Sequence, residues 1–450
     1  MELERLVLNS DRNSMIRRCN LNKRNFSTLG LLVVALLLVL TPILSCAAPE
    51  PAPPAPAEVV KPDEVIIYHF GDLSGPYAPI TAPIVAGLGD CMEWYNAELG
   101  GIDGVPLGQK FRDTANKLDA ALAAYSAFKE SDPYPIVEVL YGSAESEALR
   151  DRLVEDKIVS ITAGLSPKAL YPPGYQFAMG PSYCDSMGAW IDWVTEDWAK
   201  KTGETVKLAI LTWDSPFGKA IMVDELRDYA ASKGVDIVYE GVYGLRDLDV
   251  STQLTAIKGT GANWVYDNTA AHGPKVIHAA AAGLGMLNHD LYDTTPGMIH
   301  RACGPWAMDE SSVILSGELA DGLVGPRAFA SWAMPEVEGV AKAIAAADAH
   351  DRGSHERVMG YIASWGVGYT LFYCIDKAVE EVGWDNLSGE ALRDQLLKLD
   401  DFSPLGLAKF TFTADKMEPR QVRIFKAEGG KLLPITDWVT CPDLRPYEYR

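Results

Sequence analysis

Seven histidines and seven cysteines are scattered through 450 residues, and they form no pattern that metal or redox chemistry would use. His69, His272, His278, His289, His300, His350 and His355 lack the spacing that places two imidazoles on one helical face. The cysteines contain no close pair, which argues against a zinc site and against a dense disulfide framework. There is no His-Glu-x-x-His, no Gly-x-Ser-x-Gly and no phosphate loop, so the common hydrolytic and nucleotide-dependent chemistries lack their residues and no cofactor is expected. Basic charge is also short: 40 Lys and Arg stand against 61 Asp and Glu, a formal net charge of −21 with no basic stripe. That excludes nucleic acid as a partner, and an anionic lipid surface bound through the protein's own side chains. It does not decide the charge of a ligand, because surface and pocket are separate matters. Leu29 to Leu40 is an apolar run of only 12 residues, better suited to a signal-peptide core than to a membrane span.

That run follows Arg17, Arg18, Lys23 and Arg24 and precedes Ile43-Leu44-Ser45-Cys46, which resembles a bacterial lipobox apart from the bulk of Leu44. Residues 1–45 are therefore read as a lipoprotein signal peptide, with Cys46 as the lipidated first residue of the mature protein. Acyl chains on one residue give stable anchoring, since each buried methylene contributes about 0.8 kcal/mol. An uncleaved anchor and soluble secretion are the alternatives, and Met15 would start a more compact signal than Met1. Residues 46–63 begin with a proline-alanine tether, Ala47 to Ala57, extended and semi-rigid, that would hold a domain off a surface. The leader carries six basic and three acidic side chains, so the mature part sits near −24. Hydrophobic residues at 48% make it globular, and its length suits two lobes. Cys91, Cys184, Cys303, Cys374 and Cys441 remain after Cys19 and Cys46 are set aside, leaving room for one disulfide that sequence cannot choose.

Past the tether, Val65, Ile66, Ile67 and Phe70 form a short apolar strand that runs into the turn-rich segment Gly71 to Pro79. Ile84, Leu88, Met92 and Tyr95 then recur at helical spacing, and Gly100, Gly101 and Gly104 stop the helix by taking positive φ. Further units follow: a strand over Phe111–Asp113, a helix with Leu118, Leu122, Tyr125 and Phe128 on one stripe, a strand over Ile136–Leu140, a helix over Glu145–Glu155 and a strand over Ile158–Thr162. A second series has a helix through Trp190 and Trp193, strands at Val206–Leu211, Val235–Tyr239 and Trp264–Tyr266, and helices at Ala220–Lys233, Val250–Lys258 and Lys275–Leu284. Helices at Pro335–Ala347, Tyr361–Val382 and Gly389–Leu399 and strands at Lys409–Phe412 and Val422–Lys426 complete the body. This alternation predicts an α/β fold with two doubly wound parallel-sheet lobes.

The order Gly71-Asp72-Leu73-Ser74-Gly75-Pro76-Tyr77, a helix, then Asn96 to Gly104, behind an export leader, resembles the start of a type I solute-binding protein of the branched-chain amino-acid transporter family. The resemblance extends loosely to about Trp438. It implies a periplasmic binding protein of type I, with a three-segment hinge and a cleft beneath it: lobe 1 from residues 64–182 and 325–402, lobe 2 from residues 183–324 and 403–442, and a tail over 443–450. Open α/β sheets bind ligands at the carboxyl ends of their strands. In lobe 1, Tyr141-Gly142-Ser143-Ala144-Glu145-Ser146 follows a strand and opens a helix whose free N–H groups suit a carboxylate. The resemblance puts the ligand on Ser143 and Ala144, although Ser143 or Ser146 would serve equally as a helix cap. Gly164 and Ser166 form a second loop, where Gly164 would let a ligand approach the backbone, unless Ser166 merely caps a helix before Pro167. From lobe 2, the resemblance implies that Phe217 covers the ligand, unless it simply packs against the helix Ala220–Lys233, that Thr269 supplies a polar contact and that Asp293 meets an ammonium group. Tyr77 and Trp365 are candidate aromatic walls, with core packing the competing role. Gly366 and Gly368 suit close helix packing better than a nucleotide fingerprint.

These features predict an extracytoplasmic lipoprotein, not an enzyme, that captures a small carboxylate-bearing solute by lobe closure. It would act as a monomer and pass the solute to the permease and ATPase of an ABC importer, which are separate chains. A ligand sensor that signals to a receptor would use the same cleft.

Overall fold

The computed structural model describes residues 60–450. The expectations for the leader, Cys46 and most of the tether lie outside these residues. The first strand, β1 (Val65–Gly71), is buried along almost its whole length, as a strand covered on both faces must be. It lies inside a five-stranded sheet with β2 (Leu107–Asp113), β3 (Val137–Leu140), β4 (Val159–Thr162) and β5 (Gln176–Ala178), in the order β2-β1-β3-β4-β5. Every neighbouring pair is parallel. Three helices follow the first three strands: α1 (Ala78–Leu99), α2 (Leu118–Lys129) and α3 (Ser143–Asp156). Ile84, Leu88, Met92 and Tyr95 are buried on α1, as their spacing predicts. Gly100, Gly101 and Gly104 follow with φ of 79°, 76° and 83°.

The second sheet contains β6 (Lys207–Trp213), β7 (Asp236–Tyr243), β8 (Trp264–Asp267), β9 (His300–Cys303), β10 (Val324–Arg327), β11 (Gln421–Glu428), β12 (Lys431–Pro434) and β13 (Val439–Thr440). Its order is β12-β11-β10-β9-β8-β6-β7, with β13 on β11. The strands from β10 to β7 run parallel, whereas β11 is antiparallel to β10, β12 and β13. Two α/β lobes of the predicted class are thus present, the second with an antiparallel margin.

Local differences have local causes. Strands β9 (His-Arg-Ala-Cys) and β10 (Val-Gly-Pro-Arg) escape a search for apolar runs because each carries a buried arginine. Arg301 donates to the carbonyls of Asn288 at 2.7 Å and Asp321 at 2.6 Å. Arg327 donates to those of Met308, Phe329 and Ala330 and pairs with Glu310 at 3.0 Å. Residues 325–327 accordingly belong to the second sheet, so the second crossing follows Arg327. The expected strand Lys409–Phe412 is a loop: Phe410 exchanges two backbone bonds with Phe402, and Phe412 packs edge-on against Phe177 of β5 at 5.1 Å. It therefore belongs beside the first sheet and not the second. The helix expected from Ala220 starts at Asp224, because Pro216–Lys219 forms a separate turn of helix.

The chain passes between lobes after β5, after β10 and again before β11. The long helix Met359–Val382 returns to lobe 1 and packs on α1 through small residues. A Cβ on Gly87 would lie 2.3 Å from Ser364 Oγ and 2.7 Å from Tyr361 O. One on Gly368 would touch Leu88 at 3.0 Å, which assigns Gly368 to helix packing, whereas one on Gly366 would meet Phe329 and Leu407 at ordinary contact distance. Cys91, Cys184, Cys303, Cys374 and Cys441 are all free thiols, so the possible disulfide is absent among the described residues. No described helix is long and apolar enough to cross a membrane.

Candidate functional site

The loops that leave the carboxyl ends of the parallel strands meet across the two lobes and enclose a cleft of about 340 Å³. Lobe 1 supplies Asp72, Tyr77, Leu118, Ser143, Ala144 and Glu145. Lobe 2 supplies Ser215, Phe217, Leu245 and Trp306, and Tyr183 enters from the first crossing. The lobes touch here: Trp306 Nε1 donates to Ala163 O at 3.1 Å, and the Tyr77 ring lies 6.0 Å from Trp213 and 6.4 Å from Phe217.

Each wall is held by the backbone. After β1, Asp72 folds the glycine-rich turn by accepting the N–H of Gly75 and, at 2.8 Å, that of Tyr77, which fixes the Tyr77 ring at the start of α1. Burial, opposed by a hydrogen bond with Ser215, pushes the Tyr77 hydroxyl up to about 12. At α3, Gly142 precedes the helix and Glu145 Oε1 accepts the Gly142 N–H at 2.6 Å. This is one half of a capping box. The capping position considered for Ser143 or Ser146 is held by Gly142, which has no side chain to cap with, and Ser146 instead joins its hydroxyl to Gly142 O at 2.7 Å and to Thr162 Oγ1 at 2.6 Å. Ser143 is left over. It is 5% exposed and lines the cleft within reach of the Tyr183 hydroxyl, and its Oγ completes no hydrogen bond of regular geometry among the described residues. A buried hydroxyl of this kind is a donor and acceptor held ready. The N–H groups of Ser143 and Ala144 belong to the first turn and have no acceptor inside the helix. Phe217, 7% exposed, packs on Tyr183 at 4.9 Å, and its carbonyl accepts from Asn268 Nδ2 at 2.8 Å.

The structure brings Tyr77, Ser143, Ala144 and Phe217 together and places the other sequence candidates elsewhere. Gly164 lies behind the wall: a Cβ there would sit 2.6 Å from Gly142 O and 2.8 Å from Ser143 Cα, so its small size lets the two loops of lobe 1 touch each other. Ser166 turns away and donates to Glu147 at 2.6 Å. Thr269 is buried and donates to Asp267, whose carboxyl burial pushes up to about 7. Asp293 stands with Lys207 and His300 at the amino ends of β6 and β9, the wrong end of the sheet, and accepts from Thr295 at 2.9 Å. Trp365 is wholly buried, 5.7 Å from Trp94 on α1. Asp72, Glu145 and Leu118, which the sequence places only in a turn, a helix start and a helical stripe, and Leu245, Tyr183 and Trp306 are cleft residues that the sequence did not mark as ligand contacts. For Glu145 a signal existed, an acidic residue three places after a helix-capping position. Trp306 had none, because β9 before it went unrecognised. Among the described residues, no group of His, Cys, Asp and Glu could hold a metal ion.

Comparison with known proteins agrees with this architecture. A family model described as periplasmic binding protein matches residues 66–431. No curated protein sequence matches. Among solved structures, a branched-chain amino-acid ABC transporter protein from Thermus thermophilus with bound valine superposes with a TM-score of 0.75 at 20% identity, covering 85% of this chain and 97% of that one. A fatty acid ABC transporter substrate-binding protein from Thermomonospora curvata gives 0.70 at 16% identity, covering 86% and 95%. A solute-binding protein from R. palustris in complex with 4-hydroxybenzoate gives 0.69 at 15%, covering 85% and 98%. At these identities the structures establish the shared fold. The family and these neighbours are solute-binding proteins and not enzymes. With the family pattern running from β1 into β12 and the cleft set between two strand-end loop clusters, the chain belongs to the periplasmic binding protein family.

Proposed function

We propose that this protein is the solute-capturing lipoprotein of an ABC importer, anchored through Cys46, and that it delivers a small solute to permease and ATPase chains. The observation that carries this reading is the cleft itself, in which the unpartnered Ser143 Oγ faces aromatic side chains from both lobes. A guest there touches loops of each lobe at once, so it stabilises the closed form over the open one. The closed form is then the shape a permease recognises. The guest's apolar body lies against Phe217, Tyr77 and Leu118, and its polar end meets Ser143. A carboxylate at that end, expected from the sequence, meets the free N–H groups of α3 but also the Glu145 carboxylate beside them. The working affinity is micromolar, about 8 kcal/mol.

Mass spectrometry of compounds released from the purified protein, followed by titration and X-ray scattering with the compound so found, tests the reading. The expected result is one small molecule, a more compact particle when it is added back, and weaker binding in Ser143→Ala and Phe217→Ala. Identical scattering with and without it, or unchanged affinity in both variants, sinks the assignment.

A further inference from the structure

The charges that line the cleft are of one sign. Asp72, Glu145 and Asp214 line it, and among the described residues no lysine, arginine or histidine does. Asp214 is paired with Lys219 at 2.8 Å. Asp72 and Glu145 are different: they are 4% and 9% exposed, and neither forms an ion pair among the described residues. Backbone N–H groups of Gly75, Tyr77 and Gly142 hold both carboxylates in place without neutralising them. A buried carboxylate that is only hydrogen-bonded is still a net charge, and it is costly unless a cation joins it. Burial, with Asp72 adding to it, raises the Glu145 pKa, the direction expected where the protein supplies no counter-charge.

Glu145 also occupies the place to which an anionic guest would be drawn. The first turn of a helix attracts anions, but the first turn of α3 already carries its own carboxylate on the Gly142 N–H. Around it stand the rings of Tyr77, Tyr183, Phe217 and Trp306. Aromatic faces attract cations and aromatic edges accommodate apolar groups. Ser143 Oγ, unpartnered and turned to the same space, can accept an N–H as readily as it can donate.

From this arrangement we infer that the cleft selects an organic ammonium cation with an apolar body and rejects solutes whose only charge is a carboxylate. The inference rests on the reading of the cleft as a solute site and narrows its ligand class. The ammonium group donates to Asp72, Glu145 and Ser143 Oγ, while the apolar body fills the space between Phe217, Leu118 and Leu245. A guest held by a carboxylate alone adds a third negative charge beside two that no protein cation offsets.

Calorimetric titration of the purified chain with three probes of one shape tests this: 2-phenylethylamine, phenylalanine and 3-phenylpropionate. The amine is expected to bind at least about tenfold more tightly than the carboxylate, with the zwitterion between them, as close unlike and like charges dictate. In Glu145→Gln, which keeps an acceptor for the Gly142 N–H, that ratio should fall by about tenfold while the thermal midpoint stays near that of the wild type. Binding of 3-phenylpropionate as tight as that of the amine, failure of the amine to bind, or an unchanged ratio in a folded Glu145→Gln overturns the inference. The wild-type series decides the matter even if the variant does not fold. Tight binding of 3-phenylpropionate with lobe closure would overturn the charge preference and leave solute capture standing. Lack of closure with a compound released from the protein would sink solute capture itself.

Discussion

Glu138 shows how one side chain can cost a protein stability and reveal the pH at which it does so. It sits on β3 with no exposure, next to Tyr68 of β1 and Ser160 of β4 in register, and neither carboxyl oxygen has a partner among the described residues. Burial, followed by the nearby charge of Asp156, pushes its pKa from 4.5 up to about 9. The folded chain therefore keeps a proton that the unfolded chain gives up. Stability from this group is complete below the unfolded value and is lost as pH rises toward the folded one. The wild type should thus lose thermal stability relative to Glu138→Gln between about pH 5 and about pH 9, a difference of about 2 kcal/mol or more at the alkaline end. Thermal denaturation of both proteins across that range checks it, and parallel curves would refute it. At this scale the sequence was partly legible. Tyr77, Ser143, Ala144 and Phe217 could be found because each follows a strand in a turn-rich segment and the family resemblance singles those segments out. Asp72 and Glu145 stand in the same segments, yet their meaning depends on which charges are near them in space, and a linear reading cannot supply that.

Elements set the spacing of the cleft walls. The loop after β3 and the loop after β4 touch because Gly164 has no side chain, and Ser146 and Thr162 tie them with a shared hydroxyl pair. In Gly164→Ala the new Cβ meets backbone, which cannot rotate away, so the loops must part. A loss of about 1–3 kcal/mol in stability is expected, together with weaker ligand binding as Ser143 shifts. Chemical denaturation and titration measure the two effects. A variant with wild-type stability and affinity would show that the contact is slack. Strands and helices with strong apolar patterns, such as β1, β6 and α1, are predictable because burial on a sheet demands that pattern. β9 and β10 are not, because Arg301 and Arg327 are satisfied there by carbonyls from distant loops.

Across the whole molecule, the lobes are joined by more than the chain crossings. Lys416, on the third crossing, is almost fully buried among Asp185 of lobe 2, Glu418 at 3.3 Å and Asp443 of the tail at 3.0 Å. Burial opposes the ammonium, yet Glu418 and Asp185 hold its pKa above the ordinary lysine value. Tyr171 of lobe 1 donates to Glu418 at 2.7 Å, and Tyr449 of the tail stacks on Tyr171 at 5.9 Å. The tail also reaches the helix Asp224–Ser232, where Tyr447 N donates to Glu225 at 2.9 Å. Lys416→Met leaves Asp185 and Glu418 buried without a cation, while Asp443 keeps Arg445, so about 3–5 kcal/mol of stability should be lost. Scattering should also report a broader spread of lobe arrangements. Adding Asp185→Leu should recover part of the loss; no recovery would mean that Lys416 acts through packing alone.

From the sequence alone one can obtain the α/β class, two lobes and the loops that face the cleft, because hydrophobic period, turn chemistry and composition act locally along the chain. Tertiary structure decided the remainder. It put Gly142 at the cap of α3 with Glu145 on its N–H, sent Thr269 and Asp293 away from the cleft, and set Asp72 and Glu145 together without a cation among the described residues. The meeting of Asp72 with Glu145 and the placing of Asp293 at the far end of the sheet depend on packing between residues far apart in sequence, which no local pattern records.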